Sequence, residues 1–348
     1  MEHRFNYNWT LKDAIFTKDK GKVFSCFACG GGSTMGYKLA GFDVIGCNEI
    51  DIRVMNLYES NHHPRYKFLE PIQTFKERTA FPEALYNLDI LDGSPPCSAF
   101  SIAGSREEAW GVEKKFREGQ ATQVLDTLFF DFIEVARKLQ PKVVIAENVK
   151  GLLQGDAKKY VQRIYAEFEA AGYYCQHWLL DAQNMGVPQR RERVFFVCLR
   201  KDLIDYVPQN YNLFDVSPRL TLDFNEPRIT CEDAGLELGD EITTKCYVED
   251  YGRLQRGEEK KYQQCALIQK TDVHPTLLAS YRDKASPMPA WERRWLSQSD
   301  ICKVSSFPQD YDFGTQKPHY ICGMSVPPIM IAQIATQVYE QWLTKLTK

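Results

Sequence analysis

The chain has 348 residues, of which 44% are hydrophobic and 26% are charged, and its formal net charge is −3. This composition is typical of a soluble globular protein, and the length suffices for one large domain or two modest ones. It excludes a globally basic nucleic-acid-binding protein, so any binding of nucleic acid must be local. No apolar run is long enough to cross a bilayer and the first residues lack a signal-peptide pattern, so we expect a cytoplasmic protein without a membrane partner.

Predicted strands and helices alternate through the first part of the chain. Apolar runs rich in β-branched residues predict five strands, and helical spacing is found at residues 126–139 and 158–172. Such alternation is typical of an α/β fold in which crossover helices connect the strands of a parallel sheet. The predicted strands are residues 22–29, 42–50, 88–93, 141–148 and 193–200.

The rest of the chain has a different character. From residue 201 onwards, Pro, Asn, Asp and Glu interrupt short mixed runs, which indicates a second, irregular module. Helical periodicity returns at residues 327–346, where prolines at the start suit the first turn of a helix.

The eleven cysteines are scattered along the chain, and their odd number without an export signal predicts reduced thiols. Cys26 and Cys29 have a CxxC spacing, which would suit half a zinc site or a redox pair. No second pair or nearby histidine completes such a site. We therefore expect no metal and interpret both cysteines as buried strand residues.

A glycine-rich segment, FACGGGSTMGYKLAGF at residues 27–42, joins the first predicted strand to the first helix. Glycines let a backbone approach a ligand closely, and a helix N-terminus offers unpaired N–H groups. A tight turn without a ligand is an equal alternative, and the absence of Gly-Lys-Ser/Thr excludes a P-loop. Glu49 ends the second strand about 20 residues later, where doubly wound folds place a carboxylate on ribose hydroxyls. This spacing favours an adenosine-containing cofactor over an exposed acid at a strand end.

The segment GSPPCSAFS, residues 93–101, follows the third predicted strand, at a sheet edge where open α/β folds bind ligands. Its two prolines stiffen the backbone before Cys97 and suit an outward-facing nucleophile, whereas an average free cysteine is buried and inert. The next strand ends in Glu147 and Asn148, which are awkward to bury and indicate either function or a capping role. A thiolate and a carboxylic acid on neighbouring strand ends can add a nucleophile to a ring and protonate a ring nitrogen.

The motifs and their order resemble the DNA (cytosine-5) methyltransferase family in its prokaryotic form. The resemblance covers residues 22–200 and 274–345. It implies a Rossmann-like, S-adenosylmethionine-dependent catalytic domain at residues 1–200, a smaller, irregular target-recognition domain at 201–314, and a C-terminal segment at 315–348 that returns to the catalytic domain. The motifs are FACGGG, NEI, SPPCSAFS, ENVKGL and PQRRERVF, followed by Phe-Pro and GMSVPP.

The resemblance also implies roles for individual residues. Cys97 would attack C6 of a flipped-out cytosine and Glu147 would engage its N3, so that C5 takes the methyl group of S-adenosylmethionine. Arg191 and Arg193 would help to hold the base and the catalytic loop, and residues 98–120 are similar to the mobile loop that closes over DNA. The implied cofactor-binding residues are Phe27, Gly31, Gly32, Glu49, Ile50, Ile72, Pro96, Leu128 and Ser325, and the implied DNA-binding residues are Ser101, Gln189, Thr276 and Leu277.

Four positions depart from the family's pattern. Ser25 stands in place of the aspartate of Asp-Leu-Phe, and Cys29 stands in place of a glycine. Pro71 replaces an aspartate expected near the adenine, and Met324 replaces the asparagine of GNSVPP. These changes lie on the cofactor side, so they bear on cofactor affinity more than on the chemistry at Cys97.

The expected substrate is double-stranded DNA, the expected functional partner is a cognate restriction endonuclease, and the expected oligomeric state is a monomer. Three alternatives remain. A tRNA cytosine-5 methyltransferase would keep the mechanism, but the Cys-Phe-Thr signature of that branch is not visible. A catalytically silent DNA-binding homologue would fit the departures, but the four implied catalytic residues are all present. A nicotinamide-dependent dehydrogenase would use the glycine-rich turn and Glu49 but leave the cysteine loop unexplained.

Overall fold

The structure is a computed structural model that describes residues 3–96, 127–155, 157–211, 216–258, 265–282 and 286–346, and the backbone of two short strands between residues 113 and 124. The chain forms two compact units, each assembled from three separate segments. Unit 1 comprises Met1–Ile15, Asp181–Arg191 and Phe224–Ile331, and unit 2 comprises Phe16–Leu180, Glu192–Asp223 and Ala332–Lys348. These units divide the chain differently from the domain ranges inferred from the sequence, and those functional boundaries stay a prediction.

The described residues contain fifteen strands and nine α-helices. The strands are β1 (Lys22–Cys26), β2 (Asp43–Glu49), β3 (Tyr66–Leu69), β4 (Ile90–Gly93), β5 (Glu113–Lys114), β6 (Gln123–Val124), β7 (Val143–Val149), β8 (Tyr173–Asp181), β9 (Gln189–Arg190), β10 (Glu192–Arg200), β11 (Gln209–Tyr211), β12 (Val216–Pro218), β13 (Ala266–Ile268), β14 (His274–Pro275) and β15 (Pro287–Pro289). The helices are α1 (Gly32–Leu39), α2 (Ile52–His62), α3 (Ile72–Glu77), α4 (Leu128–Leu139), α5 (Ala157–Ala170), α6 (Lys245–Gln255), α7 (Gln298–Ser305), α8 (Pro318–Met324) and α9 (Pro328–Gln341).

Unit 2 is organised around a seven-stranded sheet in the order β3-β2-β1-β4-β7-β10-β8. The five strands from β3 to β7 pair in parallel, and all five strands predicted from the sequence belong to this sheet. The expectation of a parallel sheet is wrong at β10, which pairs antiparallel to β7. Neighbouring parallel strands need a crossover connection. β8 and β10 are neighbours in this sheet, and residues 182–191 connect them without an α-helix that could provide a crossover, so the chain reverses direction at β10.

The main hydrophobic core of unit 2 lies between this sheet and helices α3, α4 and α5. Phe24, Leu91 and Val144, from three neighbouring strands, are fully buried in it. At its margin, Lys76 of α3 bonds the carboxylate of Asp131 in α4 at 2.7 Å. Because the strands and helices share one core, the loops at the strand ends start from fixed positions.

Unit 1 has little regular structure and relies on side chains that bond to backbone groups. β9 pairs in parallel with β14, and β13 with β15. Helix α7 begins with a capping box, in which the side chains of Ser297 and Asp300 each accept the backbone N–H of the other. The fully buried Asp300 carboxylate also accepts the N–H groups of Glu237 and Leu238, each at 2.9 Å. Such contacts replace sheet pairing in much of this unit.

The helical stretch Pro318–Lys345 is long and apolar enough, by length and composition, to cross a membrane. Uninterrupted runs of apolar residues in the sequence predict no such segment. In its most apolar window 83% of the residues are buried inside the protein, as in the core helix of a soluble protein. Within unit 2, Tyr339 of α9 packs edge-on against Phe42, with ring centroids 6.0 Å apart, and Trp342 Nε1 donates to the Arg219 carbonyl oxygen at 2.8 Å. These contacts attach the end of the chain to the sheet-containing unit.

Gly46 of β2 lies so close to β3 that an added β-carbon would stand 2.3 Å from the Tyr66 carbonyl oxygen. We expect Gly46→Ala to lower the free energy of unfolding by about 1–3 kcal/mol, because β3 must move away from β2. Gly252→Ala in α6 is the control, since the nearest atom, Arg256 Nη1, is 3.6 Å away and alanine favours a helix by about 0.5–1 kcal/mol. Urea unfolding measures both variants. A Gly46→Ala protein as stable as the wild type would contradict the close packing of the two strands.

Candidate active site

Four segments meet at one edge of the unit 2 sheet. β1, β2, β4 and β7 run in parallel, so their carboxyl ends lie on the same side, where open α/β sheets bind ligands. The glycine-rich turn follows β1, Glu49 ends β2, the proline pair follows β4, and Glu147 lies near the end of β7. Cys97, Ser101 and most of residues 98–120 lie outside the described residues.

The turn after β1 has an unusual backbone. Phe27, Cys29 and Gly31 adopt left-handed conformations, with φ of 54°, 47° and 77°. A β-carbon on Gly31 would also stand 2.1 Å from Nε2 of His62, which is buried and lies 3.2 Å from the carbonyl oxygen of the preceding glycine. Burial lowers the pKa of His62 to about 3, so a neutral imidazole supports the turn from α2. Gly32 is the first residue of α1, and no side chain caps that helix.

Glu49 closes the turn from the other side. One carboxylate oxygen accepts the N–H of Cys29 at 2.9 Å, and the other accepts those of Ile50 and Asp51 at 2.8 and 3.1 Å. Burial raises the pKa of Glu49, and these three donors oppose the rise. The carboxylate therefore joins the end of β2 to the glycine-rich turn. The predicted bond to a ribose would add to these contacts, because each carboxylate oxygen accepts more than one hydrogen bond.

Asn148 anchors the segment that leads to Cys97. Its Nδ2 donates to the carbonyl oxygen of Pro95 at 3.2 Å, and its Oδ1 accepts the N–H of Val149 at 2.9 Å. Asn148 and Pro95 are both buried, so water does not compete for the bond between them. This polar residue, which the sequence marked as awkward to bury, has a structural partner on the neighbouring loop.

Glu147 and Arg193 form an ion pair beside this segment. Glu147 Oε1 lies 3.0 Å from Arg193 Nε, and the two side chains are 12% and 15% exposed. Arg193 is opposite Val149 in the antiparallel pairing of β10 with β7, two residues from Glu147, so both side chains lie on one face. Burial lowers the pKa of Arg193, and the carboxylate raises it. The structure thus brings together two of the residues predicted to be catalytic.

Asp92 of β4 is a residue of this edge that the sequence analysis missed. It is 2% exposed, and its two oxygens accept hydrogen bonds from Ser25 Oγ at 2.7 Å and Tyr37 OH at 3.1 Å. Burial raises the pKa of Asp92 to about 7, the hydroxyl donors oppose this rise, and the nearby Glu147 adds to it. The sequence does carry a signal, since an acid interrupts the apolar run LDILDG just before the cysteine loop.

The other predicted cofactor-binding residues of unit 2 differ in burial. Ile72 and Leu128 lie fully inside the hydrophobic core, at the first positions of α3 and α4. Phe27, Ile50 and Pro96 are half-buried. The half-buried side chains are the ones that offer a ligand apolar surface.

Unit 1 holds the predicted residues Arg191 and Ser325. Arg191 is 3% exposed, and its guanidinium donates to the carbonyl oxygens of Leu277, Gly323 and Ser325 at 3.4, 3.1 and 2.9 Å. Ser325 is buried and follows α8. One cation therefore holds three backbone carbonyls together, and its predicted contribution to holding the base stays a prediction.

Hydrogen bonds connect β9 to the residues that follow β14 in the same unit, and they involve the predicted DNA-binding residues Gln189, Thr276 and Leu277. Gln189 is 1% exposed, and its amide donates to the Val304 carbonyl oxygen at 2.8 Å while accepting the N–H of Leu277 at 3.0 Å. Thr276 Oγ1 donates to the carbonyl oxygen of Arg190 at 2.8 Å. These side chains position the backbone around them, and their contact with DNA stays a prediction.

Sequence comparison finds a match over residues 21–340 to a family described as C-5 cytosine-specific DNA methylase. The type II methyltransferase M.FnuDI of Fusobacterium nucleatum is 37% identical over 182 residues, which cover 52% of this chain and 48% of the relative. M.NgoPII of Neisseria gonorrhoeae is 34% identical, and the match covers 52% of this chain and 49% of the relative. The chain thus spans about half the length of these two relatives. The type II methyltransferase M.Bsp6I of Bacillus sp. (strain RFL6) is 27% identical over 342 residues, which cover 92% of this chain and 99% of the relative.

Solved structures share the fold. A putative DNA modification methyltransferase encoded within a prophage (E. coli) matches with a TM-score of 0.63 and 19% identity, over 92% of this chain and 99% of that chain. The Dnmt2 methyltransferase of S. pombe matches with a TM-score of 0.63 and 13% identity, over 92% and 98%.

The left-handed backbone at Cys29 leads to a stability prediction. A residue with a β-carbon is strained there, so we expect Cys29→Gly to be about 1 kcal/mol more stable than Cys29→Ala. Both variants remove the sulfur atom, so the comparison isolates the β-carbon. Thermal and urea unfolding measure the difference. A Cys29→Ala protein that matched or exceeded the glycine variant would contradict the strained turn.

The three carbonyl bonds of Arg191 lead to a second prediction. Arg191→Met keeps most of the buried stem but leaves the carbonyls without their donor, which should cost about 2–4 kcal/mol. Hydrogen exchange should accelerate around residues 274–277 and 321–326. Arg190→Met, at an exposed side chain of the same short strand, is the control and should leave exchange unchanged. Equal exchange in the two variants would rule out the anchoring role.

Proposed function

This chain belongs to the C-5 cytosine-specific DNA methylase family, and we propose that it is a DNA (cytosine-5) methyltransferase. The methyl group passes from S-adenosylmethionine to C5 of a flipped-out cytosine within a specific site of double-stranded DNA. The observation that carries this proposal is the Glu147–Arg193 ion pair, which lies at the sheet edge beside the anchored segment before Cys97.

The proposed chemistry turns C5 of cytosine, which is a poor nucleophile, into a good one. The Cys97 thiolate adds to C6 of the cytosine and breaks the C5–C6 double bond, while Glu147 engages N3, so C5 gains enamine character. C5 would then take the methyl group, whose bond to the sulfonium sulfur breaks and leaves the neutral sulfide S-adenosylhomocysteine. Loss of the C5 proton to a base and departure of the thiolate restore the aromatic ring and regenerate the cysteine.

Neighbouring side chains position the acid and the nucleophile. Arg193 orients the Glu147 carboxyl group through the 3.0 Å contact, and its charge balances that carboxylate in a largely buried place. Asn148 holds Pro95, two residues before Cys97, so the loop starts at a set place relative to the acid. Such positioning lowers the barrier, because the reacting groups need not be ordered at each turnover.

The glycine-rich edge fits S-adenosylmethionine. Gly31 allows the left-handed turn, Glu49 retains capacity to accept a ribose hydroxyl, and Phe27 and Ile50 offer half-buried apolar surface. When bound, the cofactor supplies an electrophilic methyl group on a positively charged sulfur. The rest of the proposed cofactor set is Gly32, Ile72, Pro96, Leu128 and, from unit 1, Ser325.

Double-stranded DNA is the proposed substrate, and its cytosine must leave the helix to react. Extrusion costs a few kcal/mol, which contacts to the DNA must offset. The proposal gives these contacts to Ser101 and the loop at 98–120, and to Gln189, Thr276 and Leu277 together with a target-recognition domain at 201–314. The catalytic domain would be residues 1–200, with residues 315–348 returning to it, and Arg191 would help to hold the base.

A restriction-modification setting is the proposed context. The relatives M.FnuDI and M.Bsp6I are named type II methyltransferases, which supports this setting for a chain of the same family. The partner would be a cognate restriction endonuclease that acts on the same DNA site and need not contact this chain. We place the enzyme in the cytoplasm, as a monomer.

Cys97→Ala should reduce methyl transfer roughly a thousandfold or more, because C5 loses the addition that activates it. Labelled S-adenosylmethionine and mixed-sequence duplex DNA, followed by nucleoside analysis, measure transfer into 5-methylcytosine. Cys246→Ala, at an exposed free cysteine of α6, is the matched control and should keep wild-type activity. Undiminished transfer by the Cys97→Ala protein would disprove the covalent mechanism.

A parallel reaction with tRNA separates the nearest alternative. Label in DNA alone supports the proposal. Label in tRNA alone would make tRNA the substrate instead of DNA, and label in neither favours a catalytically silent homologue. A duplex with 5-fluorocytosine gives a second readout, because fluorine cannot leave C5 as the proton does. The adduct at Cys97 should then persist in denaturing electrophoresis, and the Cys97→Ala protein should form none.

A further inference from the structure

A buried carboxylate lies beneath the two segments that the proposed function gives to the cofactor. Asp92 is directly opposite Ser25 in the pairing of β4 with β1, and opposite Ile145 in the pairing with β7. It precedes Gly93 and the cysteine loop by one residue, and Ser25 precedes Phe27 of the glycine-rich turn by two. The carboxylate therefore occupies the middle of the sheet edge.

The groups around Asp92 hold it in place without neutralising it. Ser25 and Tyr37 donate hydroxyl hydrogen bonds at 2.7 and 3.1 Å, and the Ser33 side chain, at the start of α1, also hydrogen-bonds to it. In the part of the chain that the structure describes, no lysine or arginine pairs with Asp92. The negative charge of Glu147 raises the pKa of Asp92 and so disfavours its ionisation. A buried carboxylate in such surroundings gains most from a cation that binds nearby.

The same place carries one of the departures from the family's pattern. Ser25 stands where the pattern has an aspartate, and Asp92 is its direct neighbour on the adjacent strand. A carboxylate on β4 thus lies directly opposite the hydroxyl that replaces the expected carboxylate of β1. The negative charge stays at the sheet edge, although the residue expected to carry it is absent.

We propose that Asp92 is the buried counter-charge of the cofactor site and that it makes the site prefer S-adenosylmethionine to S-adenosylhomocysteine. This inference rests on the proposed function. The substrate carries a positive sulfonium and the product a neutral sulfide, while their adenosine and amino-acid groups are the same. A fixed negative charge attracts the sulfonium alone, so the product is bound less tightly and leaves more readily. Asp92 acts through its charge and is a specificity-determining residue.

The test compares binding of the two ligands by calorimetry with the full chain and no DNA, at about pH 8, which is above the raised pKa of about 7 for Asp92. Asp92→Asn keeps the shape of the side chain and removes its charge. The ratio of the Kd for S-adenosylhomocysteine to that for S-adenosylmethionine should fall on the order of tenfold, mostly through weaker binding of S-adenosylmethionine. Asp89→Asn, at the amino-terminal side of β4, removes a charge that Lys142 pairs at 2.7 Å and should leave the ratio unchanged.

A double variant, Ser25→Asp with Asp92→Ser, controls for disturbed folding. It returns the carboxylate to β1 and preserves the hydroxyl–carboxylate pair, so it should keep the ratio within about threefold of the wild type. Any of three results would overturn the inference. The ratio of the two Kd values could stay unchanged in Asp92→Asn, or it could fall equally in Asp89→Asn. The double variant could also fold and still show the low ratio of Asp92→Asn. A wild-type chain that binds neither ligand would instead refute the proposed function itself.

Discussion

The parallel pairing of β4 between β1 and β7 is the constraint on which the candidate site depends. β4 has only four residues, so its register with both neighbours determines where the cysteine loop leaves the sheet. Gly93, its last residue, has no side chain because a β-carbon would stand 2.5 Å from the Phe132 ring of α4. The core beneath the sheet thus sets the starting point of the proposed nucleophile's loop. Gly93 thus links the packing of α4 against the sheet to the position of the cysteine loop.

The same edge buries several carboxylates, and each is accommodated in a different way. Among the described residues, Glu49 accepts three backbone N–H groups, Glu147 pairs with Arg193, and Asp92 accepts hydroxyl groups. The first arrangement stabilises a turn and the second orients an acid. The third is a carboxyl group with a raised pKa that no lysine or arginine pairs with in the described part of the chain, so a cation that binds nearby would favour its ionised form. With a carboxyl group already in place at the sheet edge, the free-energy cost of reorganising the site when a cation binds would be smaller.

Much of the fold could be predicted from the sequence, since apolar strands in a buried sheet leave a strong pattern. The five predicted strands are all present, whereas the two edge strands of the sheet, β3 and β8, were missed because their side chains are partly exposed. Helix α2 was missed because it is rich in polar residues. The direction of β10 was also wrong, because an apolar run reads the same in either direction. At the site, Glu147 could be found from its place at a strand end. Asp92 carried a signal as an acid within an apolar run, but its hydrogen-bond partners could not be predicted, since they lie 67 and 55 residues away along the chain.

Arg191 has a consequence for the order in which the chain folds. It bonds to carbonyls that lie 86 residues later, at Leu277, and 134 residues later, at Ser325. Contacts of such long range form slowly, and unit 1 also needs its first fifteen residues in place. Unit 2 likewise takes its last segment from residues 332–348. Unit 1 therefore cannot be completed before residue 331 has been synthesised, and unit 2 needs residues 332–348 as well, so a chain that stops before residue 331 would leave both cores open.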